Sequence, residues 1–173
     1  MKGRGGAEPF AARLSLLDRL IDDAPERLRD PPLSAGEALA TLERSLRRDL
    51  EALLNAHRRW RSWPEAYGAL KLSPIAWGVS DFTAGAFNDP RRREELRAEF
   101  EETIRRFEPR LAEVEVSLVE AKDPLAPTLR LRIEGLLRVG PEPEPIAFDT
   151  LFDAATAAVE VRAGAERAPS ADV

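Results

Sequence analysis

The hydrophobic pattern of the chain changes its period within one short stretch, RRFEPRLAEVEV, which runs from Arg105 to Val116. Up to Phe107 the apolar residues recur every three or four positions, as in an amphipathic helix. After Pro109 they alternate, as in a half-buried strand. Because proline disfavours helical geometry at the residue before it, the helix is predicted to end near Phe107. Helices that precede a run of strands predict an α+β fold.

Two main helices are predicted before this corner. The first begins with the capping box SAGE at Ser34 and is predicted to end in the basic stretch 57–63. The second begins at Pro90, with Asn88 or Asp89 as its cap. Each carries one apolar stripe that predicts a buried face. The stripe positions are Leu39, Leu42, Leu46, Leu50 and Leu53 on the first helix, and Leu96, Phe100, Ile104 and Phe107 on the second.

Four alternating runs after the corner predict an antiparallel meander with one buried and one solvated face. The helices and this four-stranded sheet form one predicted domain, 34–163, between a flexible segment, 1–33, and a disordered tail, 164–173. The last two strands carry few charges, so an edge of the meander is predicted to accept a strand from another chain. The predicted inward positions are Ala112, Val114, Val116, Leu118, Leu129, Leu131, Ile133, Leu137, Val139, Ile146, Phe148, Thr150, Phe152, Val159 and Val161.

A short amphipathic segment, RLSLLDRLIDD, precedes the first main helix. Leu14, Leu17 and Ile21 have helical spacing in it, and the prolines that follow prevent a long helix. From spacing alone, docking of this segment on its own domain is favoured over docking on a partner.

Composition excludes several classes of protein. The chain has 173 residues, a net charge of −5 and no cysteine, so it has no disulfide scaffold, thiol nucleophile or cysteine metal site. The charge gives no general attraction to nucleic acid. The first residues lack the apolar region of a signal peptide, and no apolar run approaches the ~20 residues of a membrane span. These features predict a cytoplasmic protein without a cofactor and without membrane insertion.

No constellation of residues predicts a catalytic centre. His57 is the only histidine, and beside two arginines it is interpreted as a surface group. Glu101, Glu102 or Glu108 could be imagined as the acid of a lysozyme-like hydrolase, but the first two are expected on the solvated side of their helix. Arginines interleaved with a tryptophan at 58–61 are typical of nucleic-acid surfaces, in an otherwise acidic chain. A binding or assembly protein is favoured, with a peptidoglycan hydrolase and a nucleic-acid binder as alternatives.

Several motifs occur in an order that resembles one known family. They are SLLDRLIDD, SLRRDLEALLNAHRRW, SPIAWGVSDFTAG, RFEPRL and LRLRIEGLLRV followed by PIAFDTLFDAATAAVEV. Over roughly residues 13–162 the chain resembles TssE, the baseplate subunit of type VI secretion machines, which is related to a phage-tail baseplate wedge protein with a "lysozyme-like" name. The aromatic loop departs from the family pattern at Ala76, Trp77, Val79 and Ser80.

The resemblance implies a structural protein and not an enzyme. It implies contacts with the wedge subunits TssF and TssG, with TssK as a further candidate, on the cytoplasmic side of the inner-membrane complex. It also implies that sheath subunits TssB and TssC begin to assemble here by strand addition. Glu108 and Arg110, expected to project together from a rigid corner, become a docking site in this interpretation. The predicted contact residues are Glu108, Pro109, Arg110, Leu16, Leu17, Asp18, Arg19, Leu20, Asp81 and Phe82.

Overall fold

Two long helices lie against one face of a four-stranded sheet in the structure, a computed structural model. It describes residues 14–21, 25–26, 34–58, 64–80, 89–119, 128–139, 143–153 and 155–164. Apart from 14–21, 25–26 and residue 164, the predicted flexible segment 1–33 and the predicted disordered tail 164–173 lie outside the described residues.

The two long helices begin where their capping residues predict. Helix α1 is Leu16–Leu20, α2 is Ala35–Asn55 and α3 is Pro90–Phe107. At the start of α2 the Ser34 hydroxyl accepts a hydrogen bond from the Glu37 amide at 3.3 Å, and the Glu37 carboxylate accepts one from the Ser34 amide at 2.9 Å. This reciprocal pair is the predicted capping box. In α3 the Asp89 carboxylate caps the first turn.

Helix α2 ends earlier than predicted, at Asn55 and not in the basic stretch 57–63. The reason is a connection to the loop before α3: the Val79 amide donates to the Ala56 carbonyl at 2.9 Å, and the Arg58 amide donates to the Val79 carbonyl at 2.8 Å. Gly78 makes this approach possible, because its φ is +96° and a Cβ there would lie 2.1 Å from the Ala56 oxygen.

The sheet is the predicted meander, with strands β1 (Leu111–Val119), β2 (Thr128–Leu137), β3 (Glu144–Asp153) and β4 (Ala158–Ala163) in spatial order. All neighbouring pairs are antiparallel. The α+β prediction is therefore confirmed. The core joins the stripes of α2 and α3 to the inward side chains of the strands, including Leu46, Leu50, Phe100, Ile104, Leu131, Ile133, Phe148 and Val161.

One predicted inward position on β1, Ala112, is wrong, and another, Leu118, is only partly covered. The pairing of β1 with β2 shifts between Leu111 and Glu113, so Leu111 is buried and Ala112 is exposed. The irregularity lies beside the pair of Val114 with Gly135, and a Cβ added to Gly135 would be 2.7 Å from the Glu113 carbonyl oxygen. At the other end of the strand Leu118 keeps its inward register but remains 38% exposed.

Candidate interaction site at the helix–strand corner

The corner predicted at Pro109 forms by backbone hydrogen bonds on both sides of the proline. The Glu108 amide still donates to the Ile104 carbonyl at 2.8 Å, which completes the last turn of α3. The Leu111 amide then donates to the Glu108 carbonyl at 3.2 Å and closes a turn at the start of β1. Pro109 lies exposed at the tip of this turn, whereas Glu108 is only 5% exposed. The acid of the corner therefore points into the protein.

Glu108 and Arg110 form a two-pronged ion pair across the proline. The Arg110 Nε donates to Glu108 Oε1 at 2.7 Å, and its Nη2 donates to Oε2 at 2.6 Å. The Arg110 amide also donates to Oε1 at 3.1 Å. Such fork geometry fixes both side chains relative to each other.

The same guanidinium joins the corner to α2. Its Nη1 donates to the Ser45 hydroxyl at 3.1 Å and its Nη2 donates to the Asp49 carboxylate at 2.7 Å. Burial alone would lower the pKa of Arg110, but the hydrogen bonds and charges of Glu108 and Asp49 outweigh it and raise the pKa. The pair thus projects to one side of the chain, as expected, but that side faces α2 because α2 supplies the remaining hydrogen-bond partners.

A second ion pair joins the N-terminal helix α1 to the same turn of α2. Arg48 donates from Nε to the Asp49 carboxylate at 3.0 Å and from Nη2 to the Asp18 carboxylate at 2.9 Å. Ser15 also donates to Asp18 from its hydroxyl at 2.5 Å. Burial by itself raises the pKa of Asp18, but hydrogen bonds from Ser15, Ser45 and Arg48 lower it below its usual value. Asp18 is therefore held as a carboxylate.

Helix α1 turns its polar residue inward and its leucines outward. The Asp18 side chain is 5% exposed, whereas Leu16 and Leu20 are 75% and 81% exposed. Leu17 is also more than half exposed, and Leu14, just before the helix, packs against the core. The segment does dock on its own domain, but it docks through Asp18 and leaves three leucines to solvent.

The corner and α1, predicted separately as contact sites, thus meet the same turn of α2. Of the other predicted contact residues, Arg19 lies in α1 and only its backbone is described, while Asp81 and Phe82 lie outside the described residues. The sequence interpretation missed Ser45, Arg48 and Asp49. One signal for them was present, because Ser45 interrupts the apolar stripe of α2 and is 4% exposed.

On both edge strands of the sheet, outward backbone groups form hydrogen bonds with helix side chains. On β1, Arg97 and Arg105 of α3 donate to the carbonyls of Val116 and Val114 at 3.0 and 3.1 Å. Glu101 accepts from the Val116 amide at 3.4 Å. Glu101 was expected on the solvated side of α3, and this is wrong, because the β1 edge lies within its reach.

On β4, α2 provides the equivalent contacts. Asn55 accepts from the Val159 amide at 2.9 Å and donates to the Val159 carbonyl at 2.7 Å, as a neighbouring strand would. Glu51 accepts from the Val161 amide at 3.0 Å. The side chains of two helices therefore take the place of additional strands at the two edges.

The residues considered for catalysis are not brought together into a catalytic centre. His57 is exposed next to the bridge with Val79, and Glu102 is bonded to Arg106 at 2.5 Å. Among the described residues, no group of acidic or histidine side chains is arranged to hold a metal ion. Nor does the described part of the chain contain a helix with the length and apolarity needed to cross a membrane.

A comparison with known families decides what this arrangement belongs to. The model of the baseplate wedge protein gp25 family matches residues 40–142, more than half of the chain. The chain belongs to this family. The match confirms the resemblance inferred from the motifs, and its span contains α3, β1, β2 and the corner, while α1, β3 and β4 lie outside it. Proteins of this family are structural components of baseplates. No curated protein matches the chain.

Proposed function

We propose that this protein is a non-enzymatic baseplate subunit of a type VI secretion machine, acting on the cytoplasmic side of the inner-membrane complex. It binds the wedge subunits TssF and TssG, with TssK as a further candidate partner, and provides the platform on which the TssB–TssC sheath begins. Family membership supports the baseplate role. The single structural observation that carries the proposal is the outward apolar face of α1.

Exposed leucines on a helix that is already attached to its domain suit partner binding. Leu16, Leu17 and Leu20 lie on a helix that the Asp18–Arg48 pair positions, so part of the cost of ordering this helix is met before a partner covers them. Burial of one such side chain contributes about 1.5–3 kcal/mol. We assign α1, with Arg19, to the contact with a wedge subunit.

The corner provides a second proposed contact. Pro109 is exposed at its tip, and the Glu108–Arg110 pair fixes the tip relative to α2. A partner that meets this corner contacts a rigid turn, and Glu108 and Arg110 contribute to this proposed contact by holding the turn in place. Asp81 and Phe82 belong to the same proposal as a third contact.

The proposal is tested by changing exposed leucines at two places. Leu16→Ser with Leu20→Ser should leave the melting temperature unchanged and abolish capture of TssF and TssG from cell extract. Leu72 is 74% exposed outside α1, and Leu72→Ser is the matched control that should retain capture. Normal capture by the α1 variant would remove α1 from the interface, and no capture by the wild-type protein would overturn the baseplate role.

The hydrolase alternative gains nothing from the structure. A glycosidase acid needs a raised pKa, whereas for Glu101 burial raises the pKa but the hydrogen bonds from Arg105 and Arg97 outweigh it and lower the value. Both oxygens of Glu108 accept from Arg110. Digestion of purified peptidoglycan by the wild-type protein, lost in Glu108→Gln, would be needed to revive this alternative.

The nucleic-acid alternative is also unsupported within the described residues. Arg58 donates to the Glu99 carboxylate at 3.0 Å and to the Ser80 hydroxyl at 3.1 Å, so its charge is already paired within the chain. The arginines at positions 59 and 61 lie outside the described residues. Binding that falls steeply with salt would be the signature of this function.

A further inference from the structure

The two covered edges of the sheet differ in what remains open. Both the amide and the carbonyl of Val116 are bonded by α3, so they point away from β2. Backbone groups in an antiparallel strand alternate in direction, so the amide and carbonyl of Leu118, two residues further on, also point to the outer edge. No hydrogen bond from a described residue reaches them. At the outer edge of β4 the amide and carbonyl of Ala163 also have no hydrogen bond from a described residue, but no large apolar side chain of β4 is exposed beside them. On β1, in contrast, Leu118 and Val119 are 38% and 40% exposed, so open backbone groups and apolar side chains coincide there.

The helix side chains that bond the two outer edges also differ in the partners they have within their own helix. Arg97, Glu101 and Arg105 reach β1 with long side chains that are bonded to one another at 2.6 Å, so they retain ion-pair partners when they leave the strand. Asn55 reaches β4 with a short side chain from the end of α2, next to the fully buried Leu54. Glu51, the other residue that bonds β4, forms no ion pair with a described residue, so it loses its partner when it leaves the strand, whereas the three residues that bond β1 retain theirs.

On the outer face of the sheet, β1 carries negative side chains that have no oppositely charged partner among the described residues. Glu113 and Glu115 are exposed on this strand, and neither forms an ion pair with a described residue. On β4, in contrast, Glu160 and Arg162 are bonded to each other at 2.7 Å. A strand placed next to β1 would set alternate side chains opposite these glutamates, and the intervening ones opposite Val116 and Leu118.

From these three differences we infer that β1 is the edge that accepts a sheath strand, starting at Leu118, and that Arg97, Glu101 and Arg105 form its displaceable cover. The inference rests on the proposed function and adds to it the edge and the chemistry of the strand. The accepted segment is extended and alternates basic residues, facing Glu113 and Glu115, with apolar residues, facing Val116 and Leu118.

Hydrogen exchange of the full chain, alone and with the purified TssB–TssC heterodimer of the same organism, tests this inference. Exchange of the Leu118 amide should slow by at least about tenfold in the complex, because it gains a backbone acceptor. The amides of Val161 and Ala163 on β4 should not change. Protection of β4 and not β1 would overturn the inference and leave the proposed function intact. Protection of β1 in the free protein, through pairing of two copies of this chain, would overturn it as well.

Matched variants separate the two edges by function. Leu118→Pro removes an outward amide from β1, and Ala163→Pro removes one from β4, where Ala163 follows Val161 by two residues and so has the same orientation. Only the β1 variant should lose sheath binding.

Charge reversal at exposed residues provides a second test, which does not require the fold to tolerate a proline in a strand. Glu113→Lys with Glu115→Lys should weaken sheath binding about tenfold at low salt, whereas Glu160→Lys should not. Unchanged affinity of the β1 double variant would overturn the predicted strand chemistry. Failure of the wild-type protein to bind any wedge or sheath subunit would instead overturn the proposed function.

Discussion

Helices α1 and α2 are both rich in leucine, yet they present opposite faces to the protein. On α2 the leucines at 46 and 50 are fully buried, whereas on α1 Leu16 and Leu20 are largely exposed. Both helices show helical spacing of apolar residues in the sequence. The comparison shows that the period of an apolar pattern predicts a helix but does not determine which face the fold covers.

The difference follows from length and from the residue that anchors each helix. Helix α2 has 21 residues and can span the sheet, so its stripe meets β4, α3 and the core. Helix α1 has five residues and is attached by Asp18 to the polar turn of α2. An ion pair at this partly exposed position contributes little stability, about 0–1 kcal/mol. The attachment therefore positions α1 more than it stabilises the fold.

The largest loss of stability is expected for a substitution in the buried leucine stripe of α2. Leu50→Ala should lower the free energy of unfolding by about 4 kcal/mol, because it removes a fully buried side chain and leaves a cavity. Urea unfolding followed by circular dichroism measures it. Leu20→Ala, the control on α1, should change the value by less than about 0.5 kcal/mol. Equal losses in the two variants would mean that α1 is packed as tightly as α2.

A somewhat smaller loss is expected at the corner, which shares the polar turn of α2 with α1. Glu108→Ala removes both acceptors of the Arg110 fork and leaves a half-buried guanidinium with Asp49 and Ser45 alone. We expect the free energy of unfolding to fall by about 3 kcal/mol. Arg110→Lys keeps the charge and loses the fork geometry, so its loss should be smaller. If Glu108→Ala unfolds at the wild-type urea concentration, the pair is not part of the fold's stability.

A local effect is expected when the attachment of α1 is removed. Arg48→Ala should speed amide exchange in α1 while it changes global stability by at most about 1 kcal/mol. The neighbouring exposed Arg47 has no hydrogen bond to a described residue, and Arg47→Ala is the matched control. Unchanged exchange in α1 after loss of Arg48 would show that Leu14 alone holds the segment.

The smallest effect is a dependence of the same attachment on pH. The pKa of Asp18 is lowered in the folded protein from its ordinary value of 3.8. Its contribution is therefore complete above that value and is lost as the pH falls through the folded pKa. Amide exchange in α1, corrected for its intrinsic pH dependence, should rise below pH 3.8. Asp18→Asn cannot titrate and should show no such rise, so a rise in that variant would assign the transition to another group.

The sequence was sufficient for most of the fold because alternation and capping are local properties. The capping box at Ser34, the corner at Pro109 and the inward residues of β2 to β4 follow from neighbours within a few positions. Ala112 was placed inward because the alternation was extended across a shift in register that depends on β2. The end of α2 was missed for a similar reason, since it depends on contact with Val79.

The candidate site was only partly predictable for the same physical reason. The acid, proline and arginine of the corner are recognisable in sequence, but the identity of their partners is a question of long-range packing. Ser45 and Asp49 lie 65 and 61 residues from Arg110 in sequence. The covers of the sheet edges are long-range as well, because Asn55 meets a strand 104 residues further on.

Gly135 offers a way to disturb the corner without altering any of its charges. It pairs with Val114, next to the register shift of β1, and a methyl group on it would meet the Glu113 carbonyl oxygen at 2.7 Å. Just beyond it, the Arg138 amide donates to the Arg110 carbonyl at 2.8 Å, so β2 also holds the corner. Gly135→Ala is thus a candidate for a temperature-sensitive allele, in which the corner is weakened while every charged group of the corner is retained.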